Sequence, residues 1–442
     1  MTNKFFNLFI RLHCRIVELS NRRINFMKKI FSNEAFEVMH IRNFRFFMTY
    51  RLLMTSATLM QSVVVGWLLY NITKSVLSLG MIGLTEVIPQ VSIALFAGHF
   101  VDIWDRKRII FYTTFLMLLS SAILVVYSLP SYDFHKVLGV WPIYVTIFIT
   151  GLTRGILMPA NTALLGQMVP RRLLTGAATW NSTTWQVGAV TGPALGGLVY
   201  GFFGVVPALT LVLGLYLACT FLLLFIKSPG KVVIAEGSTE GIFARMKEGI
   251  HYVFNNRMLL GAFTLDMFAV LFGGAVAMLP VFASDILKVG PEGLGILRAC
   301  PAVGAIIMSV VLTFNPPVKN SGPLLLFSIF GFGLTMIVFA LSKNFYLSAF
   351  VLLLSGVFDD VSVVIRASIL QIFTSDEMKG RVAAVNSIFI GSSNELGAFE
   401  SGVTAKMMGL IPSVIFGGVM TLLVVAFAAI KSPTLRKLNL KI

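Results

Sequence analysis

Nine ionisable side chains interrupt long apolar stretches of this sequence. They are Glu86, Arg154, Asp266, Arg298, Asp359, Asp360, Arg366, Glu395 and Glu400. A charge at the centre of a lipid bilayer costs between ~3 and well above 10 kcal/mol depending on the method, so such groups are functional candidates. Buried carboxyl groups can carry protons, and arginine–carboxylate pairs can bind charged molecules or act as switches.

Arg154 and Asp359 are the sharpest candidates for a functional charge pair. A shift of 205 residues along the sequence relates the two positions, and each lies close to the middle of its predicted helix. We therefore expect them to face each other across a central cavity, at a site for substrate and proton. The alternative is a static ion pair that only fixes two helices.

Further residues extend this predicted substrate and proton site. Glu86 has no partner on its own helix. It can equally be a proton carrier or a carboxyl group that is hydrogen-bonded to a neighbouring helix. Gln61 and Asp266 are also related by the shift and add polar groups. The site is completed by Arg366 and Asp360.

The segments that carry these residues are long and apolar. The 442 residues are 57% hydrophobic and 12% charged, with a mean hydropathy of +0.86, whereas soluble domains have about 25% charged residues. We predict twelve membrane helices at residues 47–70, 77–100, 108–129, 141–165, 174–200, 205–227, 257–281, 291–314, 321–342, 345–370, 376–405 and 411–431. The runs are too long and uniform for an outer-membrane barrel.

The distribution of basic residues predicts the orientation. With both termini in the cytoplasm, 26 of the 35 Lys and Arg residues lie on that side, as the positive-inside rule requires. The net charge of +16 therefore orients a multi-pass protein of the cell membrane and does not indicate a nucleic-acid partner. Three scattered cysteines without a CxxC pattern predict neither a disulfide framework nor a metal site.

The chain divides into five predicted regions. They are a basic amphipathic arm (1–46), a six-helix bundle (47–227), a cytoplasmic linker (228–256), a second six-helix bundle (257–431) and a cytoplasmic tail (432–442). Met27 is a second possible start of translation, in which case residues 1–26 would not belong to the native protein.

The two bundles are predicted to be sister copies. At the 205-residue shift Asn181 and Ser182 match Asn386 and Ser387, and Pro207 matches Pro412. An even number of helices in each copy keeps both in the same orientation, related by a pseudo-two-fold axis along the membrane normal. The predicted fold class is an all-α membrane protein of two six-helix bundles.

A charged loop follows the second predicted helix. Gly98, Asp102, Arg106 and Lys107 have the spacing of the cytoplasmic loop signature of the major facilitator superfamily, which this chain resembles, although Asp105 replaces a usual glycine. The resemblance implies a conformational latch between Asp102 and the start of helix 11. The alternative is a charged turn that only fixes topology.

Helix 5 carries a glycine-rich motif, which consists of Gly188, Gly192, Pro193, Gly196 and Gly197. It is similar to a signature of facilitator exporters and antiporters, and small residues at this spacing also serve close helix packing in general. Together with GSSNELGAFESG in helix 11 it resembles the enterobactin-exporter and macrolide-efflux branch. In that family helices 1, 4, 7 and 10 line the cavity.

We therefore expect a secondary active transporter that exports small organic molecules of drug or siderophore type, driven by a proton gradient and without a cofactor. Motifs of ATPases and hydrolases are missing from the sequence, so an enzyme is not expected. The alternatives are a metabolite importer, a lysophospholipid flippase or a transporter-like sensor that carries nothing. The predicted partners are a small-molecule substrate and the lipid bilayer, and the predicted state is a monomer.

Overall fold

The computed structural model describes residues 37–130, 134–228, 230, 242–273, 275–375, 378–436 and 438–440. Most of the predicted basic arm and of the predicted linker lies outside these residues. The described chain is helical and contains no strand. Its long helices are α1 (Arg42–Thr73), α2 (Val76–Ile103), α3 (Arg106–Tyr127), α4 (Trp141–Met168), α5 (Leu174–Phe203), α6 (Val205–Phe225), α7 (Arg257–Phe272), α8 (Pro291–Phe314), α9 (Ser321–Leu341), α10 (Phe345–Phe373), α11 (Lys379–Met408) and α12 (Leu410–Lys431).

Ten segments of the described chain are long and apolar enough to cross a membrane. They are α1, α3, α4, α6, α8, α9, α10, α12, residues Val76–Ala94 of α2 and the Met258–Ile286 stretch that begins in α7. The other two long helices, α5 and α11, have 30 residues each but carry more polar side chains. The chain is an all-helical membrane protein.

The remaining helices are short or connect the long ones. A linker helix (Ile242–Asn255) precedes α7, a five-residue helix (Phe134–Leu138) lies between α3 and α4, and Pro433–Arg436 follows α12. The first long helix begins at Arg42 and not at Phe47, because Phe44 is buried and Arg42 lies over the ring of Phe46.

The seventh predicted helix is not continuous. α7 ends at Phe272, where Gly273 packs against the ring of Phe332. A 3₁₀ turn, a short α-helical turn and a π-helical turn (Phe282–Ile286) then continue to Ile286. Single π-helical turns are frequent at functional sites.

Helix bounds follow the 205-residue shift. Displaced by 205, the bounds of α5 coincide with those of α11, and α6 begins and ends within one residue of α12. The helix contacts repeat in the same way. α1 packs on α5 and α6 as α7 packs on α11 and α12, and α4 packs on α2 and α3 as α10 packs on α8 and α9.

Two extensive contacts join the first six helices to the last six. α2 packs along α11, and α5 packs along α8. Two hydrophobic clusters each belong to one set of six, whereas a third draws on both. This third cluster includes Tyr70, Leu79, Phe282, Leu294 and Ala405. These residues lie near the α1–α2 connection, and we call this part of the molecule the α1–α2 end.

Candidate functional site

Arg154 of α4 forms the centre of a three-residue ionic network. Its Nη1 donates to Glu86 Oε1 on α2 and to Glu395 Oε1 on α11, the latter at 3.1 Å. The side chains of Glu86 and Glu395 are 13% and 16% exposed, whereas that of Arg154 is 40% exposed. One arginine therefore joins two largely buried carboxylates and still exposes part of its own side chain.

Glycines position the three charged groups. A side chain on Gly151 of α4 would meet the backbone of Glu86, so α4 and α2 touch at that turn. Arg154 lies three residues further along and therefore on the same face of α4. A side chain on Gly83 of α2 would meet the carbonyl oxygen of Glu395, which brings α11 to the other side of Arg154.

The predicted ion pair between Arg154 and Asp359 is wrong in this structure. The two residues occupy equivalent positions, but α11 packs against α2 and inserts Glu395 beside Arg154. Asp359 is exposed and its electrostatic neighbour is Arg366. Of the two interpretations of Glu86, the structure shows the contact with a neighbouring helix, since its partner Arg154 lies on α4.

A second ionic pair lies within the last six helices. Arg366 Nη1 contacts Asp266 Oδ2, and both side chains are less than one tenth exposed. Arg366 Nε also donates to Ser362 Oγ at 3.1 Å, one helical turn away. Asp360 accepts hydrogen bonds from Ser309 Oγ at 2.9 and 3.0 Å. Of the charged residues predicted in this region, Asp359 is the one that faces open space.

A small pocket adjoins Asp266 and Asp359, between α7, α9 and α10. It is lined by Asp266, Ala269, Val270, Ser328, Ile329, Phe332, Phe358, Asp359 and Ser362. The lining therefore combines two carboxylates and two hydroxyls with two aromatic rings. Such a surface can contact a molecule that has both polar and apolar parts.

The equivalent positions in the first six helices are neutral. The 205-residue shift relates Gln61 to Asp266 and Asn161 to Arg366. Gln61 Oε1 and Asn161 Oδ1 are buried and have no hydrogen-bond partner among the described residues. Two uncharged residues in one set thus correspond to an ion pair in the other.

The glycine-rich motif of α5 lies at two helix contacts. Side chains on Gly188 and Gly192 would meet Thr55 and Ser56 of α1, and one on Gly196 would meet Met60. Gly197 faces α8 instead, where its neighbours are Pro291 and Gly295. Pro193, whose carbonyl oxygen approaches Gly295, lies in the same contact. The motif therefore brings α5 close to both neighbours.

The predicted latch loop is described in part. The burial of Gly98 and the side chain of Asp102 lie outside what the structure describes, and Asp376 and Glu377 of the predicted α11 partner lie outside the described residues. Arg106 donates from Nη1 to the carbonyl oxygen of Ala163 on α4 at 3.2 Å. Arg106 thus binds the loop to α4, and the contact of Asp102 with α11 stays a prediction.

Lys107 has a local structural role in that loop. Its backbone amide donates to Asp105 Oδ1 at 2.9 Å, so Asp105 caps the first turn of α3. Asp105 also accepts a hydrogen bond from Ser228 Oγ at 2.7 Å. The aspartate that departs from the loop signature is therefore a helix cap that ties the loop to the end of α6.

Comparison with known proteins assigns the family. The sequence model of the transmembrane secretion effector family matches residues 34–440. The chain belongs to this family of major facilitator transporters. Among its relatives is macrolide efflux protein A of Streptococcus pyogenes, which is 22% identical over 395 residues, covering 88% of this chain and 95% of the relative. The multidrug efflux pump Tap of Mycolicibacterium fortuitum is 22% identical over 391 residues, covering 85% and 91%.

Solved structures of other transporters share the fold of this secretion-effector family member. A bacterial homolog of the human lysosomal transporter Spinster, in an inward-facing and unoccupied conformation, has a TM-score of 0.68 at 13% identity, covering 90% of this chain and 99% of that one. The nucleoside transporter NupG has a TM-score of 0.69 at 12% identity, covering 88% and 100%. The chain is a membrane transporter with the major facilitator architecture.

Three residues of this transporter were not placed in the predicted site. Glu395 and Arg298 carry charges within apolar helices, which is a signal that sequence reasoning did find without assigning a role. Asp285 lies in the π-helical turn after α7 and accepts a hydrogen bond from Tyr70 Oη at 2.5 Å. Asp285 lies after the predicted end of helix 7, so the sequence did not mark it as a charge within a membrane helix.

Proposed function

We propose that this protein is a proton-coupled exporter of small organic molecules that works by alternating access of two six-helix halves, residues 47–227 and 257–431. The observation that carries the proposal is the bond between Arg154 and Glu395, which joins one half to the other beside the largely buried carboxylate of Glu86.

The proposal includes twelve membrane crossings, and the distribution of basic residues supports a cytoplasmic location of both termini. The α1–α2 end then faces the outside, since the long basic connections lie at the opposite end. Close backbone contacts between the halves lie towards that outer end. Gly80 meets Gly402, and Gly197 meets Gly295. From these glycine contacts we infer that the halves are closed on the outer side.

Protonation supplies the switch in this proposal. Ionised Glu395 holds Arg154 and thereby holds α11 near α4 and α2. A proton on Glu395 removes the charge and weakens this bond, so the outer ends can separate more easily. Glu86 keeps Arg154 paired within its own half, so the arginine is not left alone. One proton thereby changes the free-energy difference between the two conformations.

The substrate proposal is an amphipathic organic molecule that contacts the pocket beside Asp359 and the exposed face of Arg154. Aromatic rings of Phe332 and Phe358 would pack on its apolar part, and Asp359 would contact a polar part. The relatives named for macrolide and multidrug efflux support export of such molecules.

We further propose that Asp102 and Arg106 act as a latch at the cytoplasmic end and that the monomer is the working unit.

A reconstitution experiment tests the proposal. The purified protein is placed in proteoliposomes that contain a pH-sensitive dye, and a macrolide or one of a panel of amphipathic dyes is added under a proton gradient. We expect substrate-dependent proton movement that is lost in Glu395→Gln. Proton movement that no compound of the panel changes would contradict export and favour a sensor.

The matched control is Glu37→Gln. Glu37 forms an ion pair with Arg172, but at side chains that are 41% and 63% exposed, where ion pairs contribute about 0–1 kcal/mol. This variant should retain proton-coupled transport. Equal losses in the two variants would mean that Glu395 has no special part in coupling.

A further inference from the structure

Arg298 of α8 is a fourth charged residue beside the network. It interacts electrostatically first with Glu395 and then with Glu86. Its Nε atom is buried and has no hydrogen-bond partner among the described residues. A buried donor without a partner is costly, so this guanidinium is suited to a partner that arrives in another conformation.

The four charges balance within each set of helices. Glu86 and Arg154 lie on α2 and α4, and Arg298 and Glu395 lie on α8 and α11. Each set therefore contributes one positive and one negative charge. In this structure Arg154 has both carboxylates as partners. The Nε atom of Arg298 has no hydrogen-bond partner among the described residues.

Separation of α2 from α11 would break this network at the bond between Arg154 and Glu395. Glu86 would stay with Arg154, because Gly151 packs α4 against the backbone of Glu86. Glu395 would lose Arg154. The remaining cation near Glu395 is Arg298, which belongs to the same half in the alternating-access scheme.

We propose that Arg298 is a positioning residue that replaces Arg154 as the counter-ion of Glu395 when the α1–α2 end opens. The inference rests on the proposed alternating access. Ionised Glu395 then has an arginine partner in both conformations, and the protein opens without leaving a bare carboxylate in the membrane. The charged groups that face Glu395 in the closed structure are Glu86, Arg154 and Arg298.

The exchange can be measured as a change in distance without any substrate. Spin labels at Ile72→Cys and Met407→Cys, in a background without Cys14, Cys219 and Cys300, report the separation of the two halves at the α1–α2 end. Both positions are exposed, at 37% and 79%. At neutral pH we expect Arg298→Gln to reduce the open population about tenfold, because opening now leaves Glu395 unpaired.

Three comparisons separate this role from a structural one. Arg298→Lys keeps the charge and should restore most of the open population. Arg298→Gln combined with Glu395→Gln should behave like Glu395→Gln alone, because a neutral side chain needs no counter-ion. Acidification should also remove the defect of Arg298→Gln, since a proton neutralises Glu395, whereas a packing defect would persist at low pH.

The outcomes distinguish this inference from the proposed function. An open population that is unchanged in Arg298→Gln, or reduced equally with and without Glu395→Gln, overturns the role of Arg298 and leaves export intact. The expected distances in a protein that moves no compound would support the exchange and contradict export. A wild-type protein whose α1–α2 end never opens would overturn both.

Discussion

At the scale of single residues, the two arginine–carboxylate centres differ in exposure. Arg366 and Asp266 are both nearly fully enclosed, whereas Arg154 keeps 40% of its side chain exposed. An enclosed pair is suited to holding helices together. A partly exposed arginine that is shared by two carboxylates can exchange partners or contact a bound molecule.

The enclosed pair should be replaceable by the neutral pair of the sister positions. Arg366→Asn leaves Asp266 buried and unpaired, which we expect to cost about 3–5 kcal/mol. Asp266→Gln combined with Arg366→Asn reproduces Gln61 and Asn161 and should recover most of that loss. Thermal unfolding in detergent measures both variants. A double variant that is no more stable than Arg366→Asn would contradict a static role for the pair.

The network around Arg154 should respond differently. In Glu86→Gln, Glu395 becomes the sole carboxylate partner of Arg154 among the pairs described here, so the bond between the halves strengthens. We expect proton-driven export to fall roughly tenfold or more with little loss of thermal stability. Export rates in proteoliposomes, with Glu37→Gln as the control, provide the measurement. Unaltered export in Glu86→Gln would exclude this carboxylate from coupling.

Sequence reasoning found the charged residues but not their partners. Glu86, Arg154 and Asp266 stood out because charges are costly in apolar helices. The pairing with Glu395 depends on which helices are neighbours. The equivalence of Arg154 and Asp359 predicts only that the two residues lie at the same depth in the membrane. Depth does not say which face of a helix meets which partner.

At the scale of helices, the contact between α2 and α11 depends on missing side chains. Gly80 lies against Gly402, and Gly83 lies against the backbone of Glu395 and the side chain of Ala398. A methyl group at either glycine of α2 needs space that the closed arrangement does not have. The close packing of α2 on α11 therefore depends on small residues at these positions.

Gly83→Ala should consequently shift the protein towards the open conformation. Its methyl group would lie 2.9 Å from the Ala398 side chain, so α2 and α11 must move apart. Spin labels at Ile72→Cys and Met407→Cys should report a larger open population. Gly166→Ala is the control, because nothing lies within 4 Å of a methyl group there. Identical distance distributions in the two variants would refute the steric argument.

Most helices could be predicted from apolar run length, and their bounds agree within several residues. The interruption after Phe272 could not, because it depends on Gly273 meeting Phe332 from another helix. The helix contacts also explain why α5 and α11 are more polar than the other long helices. Both helices lie between the two sets of six, where small and polar side chains are accommodated better than in lipid.

At the scale of the whole molecule, the orientation in the membrane makes a prediction that needs no substrate. Lys319 precedes α9 and Lys343 follows it, and both are exposed. In the cysteine-free background, a membrane-impermeant maleimide should label Lys343→Cys in intact cells and Lys319→Cys only after permeabilisation. The reverse pattern would invert the topology and with it the assignment of the outer end.

The repeat could be recognised from the sequence because it extends over several consecutive helices. A single ungapped shift relates α4–α6 to α10–α12, and the helix bounds keep that shift. Departures from symmetry were not visible. The ionic pair Asp266–Arg366 and the neutral residues Gln61 and Asn161 occupy equivalent positions. The repeat fixes the positions but not the side chains that occupy them.

The backbone of Glu395 touches Gly83 while its carboxylate binds Arg154. The carboxylate proposed to take up a proton and the backbone that contacts α2 thus belong to one residue. Protonation of the Glu395 side chain would therefore act directly on the contact between α2 and α11. No other residue of the bundle would have to transmit the change. A transporter built this way should respond to protonation even when its distant loops are altered.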